Sequence, residues 1–203
     1  MGRFMNHKKW VVALALIATA LILTHLPVSE ADAAASASDF QIEGSTLTKY
    51  RGSDERVTIP DTVEVVGESA FENNQKVQFV VVPKSVKRMD AYVFWGCDNL
   101  EEVVLGKGLT SVDEYAFSGC TGLKQITIPE NVQSIDAQAF AGCTNLTDIY
   151  IPDTVTSIAD DAFLNCDNVT IHADEGSVAE KFAQKLAEQK LSLIHISEPT
   201  RRS

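Results

Sequence analysis

Residues 100–122, LEEVVLGKGLTSVDEYAFSGCTG, contain the pattern that decides the fold, because residues 123–145 repeat it almost position for position. Phenylalanine and cysteine each recur every 23 residues; the positions are Phe71, Phe94, Phe117, Phe140 and Phe163, and Cys97, Cys120, Cys143 and Cys166. A fixed period of roughly 20 to 50 residues is typical of a solenoid, in which each unit buries its apolar side by stacking on its neighbours. The chain is therefore predicted to be a solenoid.

Each unit contains a short segment of alternating, mostly β-branched residues, which predicts a strand. These segments are residues 57–59, 80–82, 103–105, 126–128 and 149–151. Proline follows four of the five segments and Gly106 follows the third, so the chain turns there. A second apolar pair, such as Val132 and Ile135, predicts another strand on a different side of the coil, and a segment such as residues 136–140, DAQAF, predicts a single helical turn.

The unit has the form LxxIxIPxxVxxIxxxAFxxCxxL, and it resembles the repeat of BspA-like bacterial leucine-rich-repeat surface proteins over residues 57–168. The resemblance departs at Asn74, which replaces the first cysteine, and at Gly106, which replaces a proline. The predicted fold is an α/β leucine-rich-repeat solenoid. It is a β-rich right-handed coil with short parallel strands, single helical turns and a C-terminal capping helix. The resemblance implies a bacterial surface protein that takes part in adhesion or host interaction.

The first 37 residues are predicted to be a signal peptide. A basic opening precedes an uncharged, mostly apolar run at residues 10–23, and small residues with A-x-A patterns follow at 31–37. The alternative is a membrane anchor, but the apolar run is shorter than the ~20 residues that a spanning helix needs. We therefore expect a secreted or cell-surface, extracellular protein with no membrane span after cleavage.

The remaining boundaries follow from where the repeat begins and ends. Residues 38–56 are predicted to form an N-terminal capping hairpin, residues 57–168 five 23-residue repeats, and residues 169–190 a C-terminal cap. The cap contains a helix from about Ser177 to Gln189, with Ser177 and Glu180 placed as a capping box. Residues 191–203, LSLIHISEPTRRS, resemble a translated vector remnant and are predicted to be a non-native tail, which leaves open a protein that continues after Lys190.

Residues 38–190 carry 25 acidic and 12 basic side chains, a net charge of −13. This charge argues against nucleic acid or an anionic membrane as the main partner, since both attract Lys and Arg. Between Lys124 and Lys181 there is no basic residue and there are ten carboxylates. Two interpretations remain open, solubility through net charge or a surface for cations or basic partners.

The sequence predicts no enzyme, cofactor or metal site. His172 is the single histidine of residues 38–190, and no nucleotide-binding, zinc-protease or nucleophile-elbow motif is present. The four cysteines occupy a small apolar position of the repeat, which predicts buried, reduced thiols; disulfides between adjacent repeats are the alternative. Asp90, Asp113 and Asp136 share one position of the repeat, where they are predicted to cap the helical turns or, alternatively, to share a cation.

The side chains that point outward from the first strand of each coil form the predicted binding surface. If Val103 points inward, Glu102 and Val104 point outward, because side chains alternate along a strand. The predicted partner-binding residues are Phe79, Val81, Glu102, Val104, Gln125, Thr127, Asp148 and Tyr150. Several are more apolar than a solvated row requires, which is typical of a protein-binding surface. The alternative is that apolar side chains merely favour strands.

The sequence as a whole predicts a secreted or cell-surface leucine-rich-repeat protein, monomeric and without catalysis, that binds a protein or another extracellular macromolecule or mediates adhesion. One competing hypothesis makes it a recognition or spacer module of a larger surface enzyme that continues beyond residue 190. Another makes it a structural surface component.

Overall fold

The computed structural model describes residues 35–196, with side chains described up to residue 188. Residues 1–34 of the predicted signal peptide and residues 197–203 of the predicted tail lie outside the described residues. A short 3-10 helix, Ala37–Asp39, precedes the first strand. The strands are β1 (Phe40–Glu43), β2 (Thr46–Tyr50), β3 (Arg56–Thr58), β4 (Val65–Val66), β5 (Phe79–Val81), β6 (Arg88–Met89), β7 (Glu102–Val104), β8 (Ser111–Val112), β9 (Gln125–Thr127), β10 (Ser134–Ile135), β11 (Asp148–Tyr150), β12 (Ser157–Ile158) and β13 (Thr170–His172). Helix α1 (Val178–Ile196) follows them.

One side of the solenoid is a six-stranded parallel sheet in the order β13, β11, β9, β7, β5, β3, with one strand from each successive coil. Equivalent residues pair across the coils, so that Val57 lies opposite Val80 and Val80 opposite Val103. In this sheet, the central residue is buried in each of the strands β3, β5, β7, β9 and β11. The predicted leucine-rich-repeat solenoid with short parallel strands and one C-terminal helix is therefore confirmed.

The second side of the coil is built from the two-residue strands. Strands β4 and β6 continue a sheet that begins with the antiparallel hairpin β1–β2, and β8, β10 and β12 form a separate three-stranded sheet. Leu47 of β2 lies opposite Val66 of β4, so the hairpin adds a strand to the end of the stack and covers its first coil. Its Leu47 and Tyr50 are buried.

The third side differs from the prediction, because the segments expected to be single helical turns are hydrogen-bonded turns of another kind. Tyr92, Tyr115 and Gln138, the third residue of successive segments, have φ of 61°, 56° and 54°, a left-handed conformation that a right-handed helical turn excludes. The backbone N–H of Phe94 donates to Ala116 O at 2.8 Å, and the following coils repeat this bond. The backbone groups are satisfied by the neighbouring coil, so no helical turn is needed.

A ladder of aromatic rings fills the centre of the stack. Phe94, Phe117, Phe140 and Phe163 stack on one another with ring centroids 5.2 to 5.3 Å apart. Tyr50 of the hairpin extends the ladder at one end, 5.0 Å from Phe71, and Phe182 of α1 extends it at the other end, 5.8 Å from Phe163. Each coil thus buries its phenylalanine only because the next coil covers it.

Helix α1 covers the far end of the stack. The Ser177 hydroxyl accepts a hydrogen bond from the Glu180 N–H at 3.1 Å, and the Glu180 carboxylate accepts one from the Gly176 N–H at 2.7 Å. The helix was predicted to end near Gln189, and this bound is wrong, since it continues to Ile196. Residues 190–196 contain no proline or glycine that would stop a helix.

Candidate functional site

The outward side of the six-stranded sheet presents two columns of side chains, together called the strand face. The first column is Arg56, Phe79, Glu102, Gln125, Asp148 and Thr170, and the second is Thr58, Val81, Val104, Thr127, Tyr150 and His172. The columns flank the buried centre of each strand, because successive side chains point to opposite sides of a sheet. The solenoid therefore holds twelve outward positions in these two columns.

All eight residues predicted as partner-binding lie on the strand face. Gln125 and Thr127 are exposed, and the other six are half-buried by their neighbours in the adjacent coils. The structure brings these residues together on one surface, but their role in binding stays a prediction.

At the N-terminal end of the strand face, a cation covers the aromatic ring. The guanidinium carbon of Arg56 lies 4.4 Å from the centre of the Phe79 ring, within the range of a cation–π interaction. The next residue of the column is Glu102, whose Oε1 is shielded from solvent and has no hydrogen-bond partner in the described structure. Part of the apolar patch predicted here is thus covered by the chain's own arginine.

At the C-terminal end of the strand face, a histidine joins the site. The His172 ring stacks on Tyr150 with centroids 4.4 Å apart and an angle of 11° between the ring planes. Its Nε2 lies 2.8 Å from Oδ1 of Asp148 in the other column. This hydrogen bond, followed by one from Thr147, holds the pKa of the Asp148 carboxyl below its ordinary value.

The sequence prediction missed His172 and Thr170 as members of this surface. Equivalent strand residues are 23 positions apart in the regular coils, whereas Tyr150 and His172 are 22 apart. A strict 23-residue period therefore assigns the last strand to the wrong phase. Extending the two outward columns by alignment of the strands, with a gap of one residue, would have found both positions.

The charge beside the strand face changes sign along the solenoid. Asp61 follows β3, Lys84 and Lys107 follow β5 and β7, and Glu130, Asp153 and Asp174 follow β9, β11 and β13. The edge is therefore negative at the first strand, positive at the next two and negative at the last three. The carboxyl ends of parallel strands meet at one edge of a sheet, so these side chains share an edge. An ion pair between Lys107 and Glu130, 3.6 Å long, marks the change from positive to negative.

The other candidate chemical groups of the sequence are engaged within the fold. The cysteines are buried, and each thiol donates to a phenylalanine carbonyl of a preceding coil, as from Cys97 to Phe71 O at 3.1 Å. The thiols of Cys120, Cys143 and Cys166 repeat this bond. These contacts are typical of structural thiols in an apolar core.

Two of the three aspartates that were predicted as helix caps, Asp90 and Asp113, bind side chains of the second strand side instead. Asp113 accepts a hydrogen bond from the Ser111 hydroxyl at 2.6 Å, and Asp90 forms an ion pair with Arg88 at 2.6 Å. Burial, and then the charges of Asp136 and Asp90, raise the pKa of Asp113, while Ser111 opposes the rise. Within residues 35–196, no three His, Cys, Asp or Glu side chains are placed to hold a metal ion.

A second aromatic group lies on the turn side of the coils, and the sequence prediction did not single it out. The rings of Tyr92 and Tyr115 are parallel with centroids 4.8 Å apart, and Trp95, 40% exposed, meets Tyr92 edge-on at 6.4 Å. The aromatic group of Tyr92, Trp95 and Tyr115 lies away from the strand face and can serve as a control surface in binding experiments.

The comparison with known proteins agrees with this architecture. The family described as "BspA type Leucine rich repeat region" matches residues 45–170 in six copies. The chain belongs to the BspA-type leucine-rich-repeat family. The six copies exceed the five repeats predicted from the spacing, and the match begins at residue 45, before the predicted first repeat. It therefore includes β2, where Tyr50 takes the ring position only 21 residues before Phe71.

Solved structures of bacterial repeat proteins are similar to this BspA-type chain. A leucine-rich cell-surface protein of Faecalibacterium prausnitzii is 33% identical over 68% of the chain, with a TM-score of 0.64. A leucine-rich-repeat protein of T. pallidum is 27% identical over 68% of the chain, with a TM-score of 0.65. The chain spans 37% of the first protein and 71% of the second. The pneumococcal vaccine antigen PcpA, 19% identical over 68% of the chain and 35% of its own length, shares the fold with a TM-score of 0.58.

No functionally curated protein is significantly similar to the chain. Among the residues that the structure describes, no helix combines the length and the apolar character needed to cross a membrane. The family match and the similarity to the F. prausnitzii structure make this BspA-type protein a leucine-rich-repeat protein of the bacterial surface-protein type, a class consistent with protein binding.

Proposed function

We propose that this protein is exported to the bacterial cell surface or medium and binds another protein through the strand face, without catalysis of its own. The signal-like residues 1–37 and the similarity to a cell-surface protein of F. prausnitzii support export. Adhesion is the form of binding that a surface location favours. The repeat family supports the non-catalytic part of the proposal, since proteins of this repeat type are generally non-catalytic.

The observation that carries the proposal is the composition of the strand face. Half-buried Val81 and Val104 are neighbours in the second column and lie beside half-buried Phe79 of the first column. Half-buried Tyr150 follows in the second column after Thr127. A contiguous apolar patch with a polar border is typical of a protein-interaction surface. The stacked coils also hold the two columns rigid, so their side chains lose little conformational entropy on binding.

A peptide selection tests the proposal without knowledge of the natural partner. Random peptides displayed on phage are selected on the purified full-length chain and then tested on the variant Phe79→Lys, Val104→Glu, Tyr150→Ser. This variant disrupts the strand face and leaves the net charge unchanged. We expect the selected peptides to lose at least tenfold in affinity, while circular dichroism and the melting temperature show that the variant is folded.

The matched control carries the same kinds of change on the turn side, Tyr92→Lys, Trp95→Glu and Tyr115→Ser. Peptides that bind the strand face should bind this control variant as they bind the wild type. Selected peptides that ignore the strand-face variant and lose affinity for the control would place the binding site on the turn side and overturn the proposal.

A recognition module of a longer surface protein, including a surface enzyme, is the second candidate. The observation that favours it is that the chain spans only 37% of the F. prausnitzii protein. Reading the gene beyond the codon for Lys190 tests this candidate. A continuing frame with a further domain supports a module, and a nearby stop codon rules it out.

A further inference from the structure

We propose that the C-terminal half of the strand face binds a cationic, arginine-containing extended segment of a partner protein. This half consists of Gln125, Thr127, Asp148, Tyr150, Thr170 and His172. The inference rests on the proposed function, because it names the class of partner that the same surface accepts. It depends on three features of this half, which are an aromatic platform in the second column, an accessible carboxylate in the first column and an edge without cations.

The platform is the stack of Tyr150 and His172. The rings are 4.4 Å apart at 11° to one another, so each covers one face of the other, and the remaining face of Tyr150 is the one turned towards exposed Thr127 of β9. A guanidinium group is planar and weakly hydrated, so it stacks on aromatic rings more readily than an ammonium group does. The protein already contains such a contact in the same sheet, since Arg56 lies 4.4 Å above Phe79.

The carboxylate is that of Asp148, whose side chain is 39% exposed. Its Oδ1 contacts His172, and the carboxylate remains open to solvent beside the ring platform. A bidentate pair with arginine makes two charge-assisted hydrogen bonds, whereas the imidazole of His172 makes one. A partner's guanidinium can therefore bind Asp148 while its plane rests against the rings.

The edge of this half carries only negative charge. Glu130, Asp153, Asp174 and Glu175 are exposed where β9, β11 and β13 end, and residues 125–180 include no Lys or Arg. The corresponding edge beside β5 and β7 carries Lys84 and Lys107. Complementary charge steers association and rejects partners of the wrong sign, so a basic segment is directed to the C-terminal half of the strand face.

The direct test uses a labelled peptide of alternating arginine and serine, about eight residues long. Such a peptide spans at most about 28 Å, more than the roughly 14 Å covered by the three strands of this half at ~4.8 Å spacing. Binding to the full-length chain is measured by fluorescence anisotropy at about 0.15 M salt, where charges more than ~8 Å apart are largely screened. A citrulline–serine peptide, which keeps the shape and removes the charge, is expected to bind at least tenfold more weakly.

Two carboxylate variants separate the site from the net charge. Asp148→Asn is expected to weaken binding of the arginine peptide at least fivefold, whereas Glu114→Gln, an exposed carboxylate on the turn side, should change it less than twofold. His172→Phe keeps a ring beside Tyr150 and releases Asp148, so it should tighten binding. Equal losses of peptide affinity in Asp148→Asn and Glu114→Gln would mean that net charge alone attracts the peptide. Weaker binding of the peptide to His172→Phe would show that Asp148 does not accept the guanidinium. Either result overturns the inference.

The peptide selection distinguishes failure of this inference from failure of the proposed function. Selected peptides enriched in arginine that require the strand face support both. If the selected peptides require the strand face but are not enriched in arginine or lysine, and the arginine peptide does not bind, the proposed function stands and the inference is overturned. If they bind independently of the strand face, both are overturned.

Discussion

The Nε2 atom of His172 lies 2.8 Å from Oδ1 of Asp148, and the two residues belong to different columns of the strand face. The bond crosses from β13 to β11, so it ties the last coil to its neighbour on the outward side. The buried Ile149 and the half-buried Ile171 beneath it pair in the same two strands. The bond therefore orders the ring that forms the platform with Tyr150.

We predict that His172→Phe raises the pKa of the Asp148 carboxyl towards the ordinary aspartate value of about 3.9. The hydrogen bond to His172 is the largest cause of its lowered pKa in the native protein. The measurement is the carboxyl carbon chemical shift of Asp148 as a function of pH, in the wild type and in the variant. An identical titration in both proteins would contradict the hydrogen bond.

The same bond predicts a small dependence of stability on pH. A carboxyl whose pKa is lower in the folded than in the unfolded state stabilises the fold above the unfolded pKa, and this contribution is lost as the pH falls through the folded pKa. Between about pH 5 and pH 2, the wild type should therefore lose more of its free energy of unfolding than His172→Phe does. Urea denaturation at several pH values measures the difference, and parallel curves would refute it.

The buried thiols predict a loss of stability at alkaline pH. Burial raises the pKa of the Cys97 thiol to about 12, so it stays protonated in the folded protein while the unfolded chain ionises it above about pH 8.5. The free energy of unfolding should fall by up to about 1.4 kcal/mol per pH unit for this thiol between these two values. Urea denaturation between pH 8 and pH 10.5 measures the slope.

The variant Cys97→Ala supplies the control for this prediction. Its stability at neutral pH changes through lost packing, but its dependence on alkaline pH should be shallower than that of the wild type, because the shifted thiol is gone. Tyrosines and lysines titrate in both proteins and do not affect the comparison. The same slope in both proteins would show that the Cys97 thiol ionises in the folded state.

Sequence reasoning predicted the strand face because the alternation around Val103 is a local property of a strand, and the constant period then places each coil. It failed on the turn side, where Tyr115 adopts a left-handed φ of 56° that its local sequence does not favour. Hydrogen bonds to the next coil maintain that conformation, and no local propensity contains them. It also failed at both ends, where Tyr50 and His172 take repeat positions at spacings other than 23 residues.

We predict that Phe117→Ala lowers the free energy of unfolding by about 3 to 5 kcal/mol. The ring is fully buried and stacks on Phe94 at 5.3 Å and on Phe140 at 5.2 Å, so its removal leaves a cavity between two coils that cannot collapse independently. Leu164→Ala is the control, since Leu164 is 48% exposed and its loss should cost no more than about 0.5 kcal/mol. Similar costs in urea denaturation would mean that the ring ladder does not hold the coils together.

Gly108 lies in the coil that has Gly106 in place of a proline. We predict that the position of Gly108 accepts no side chain, because its backbone lies against that of the preceding coil. A Cβ atom placed on Gly108 would collide with both Lys84 O and Val86 O of the preceding coil. These are backbone atoms of a packed coil, so Gly108→Ala must separate the two coils, at a cost of about 1 to 3 kcal/mol in the free energy of unfolding. Lys107→Ala is the neighbouring control, because it removes only the exposed ion pair with Glu130, worth at most about 1 kcal/mol. Urea denaturation measures the free energy of unfolding of both variants. Equal values for Gly108→Ala and Lys107→Ala would show that the coils can move apart at Gly108 without cost.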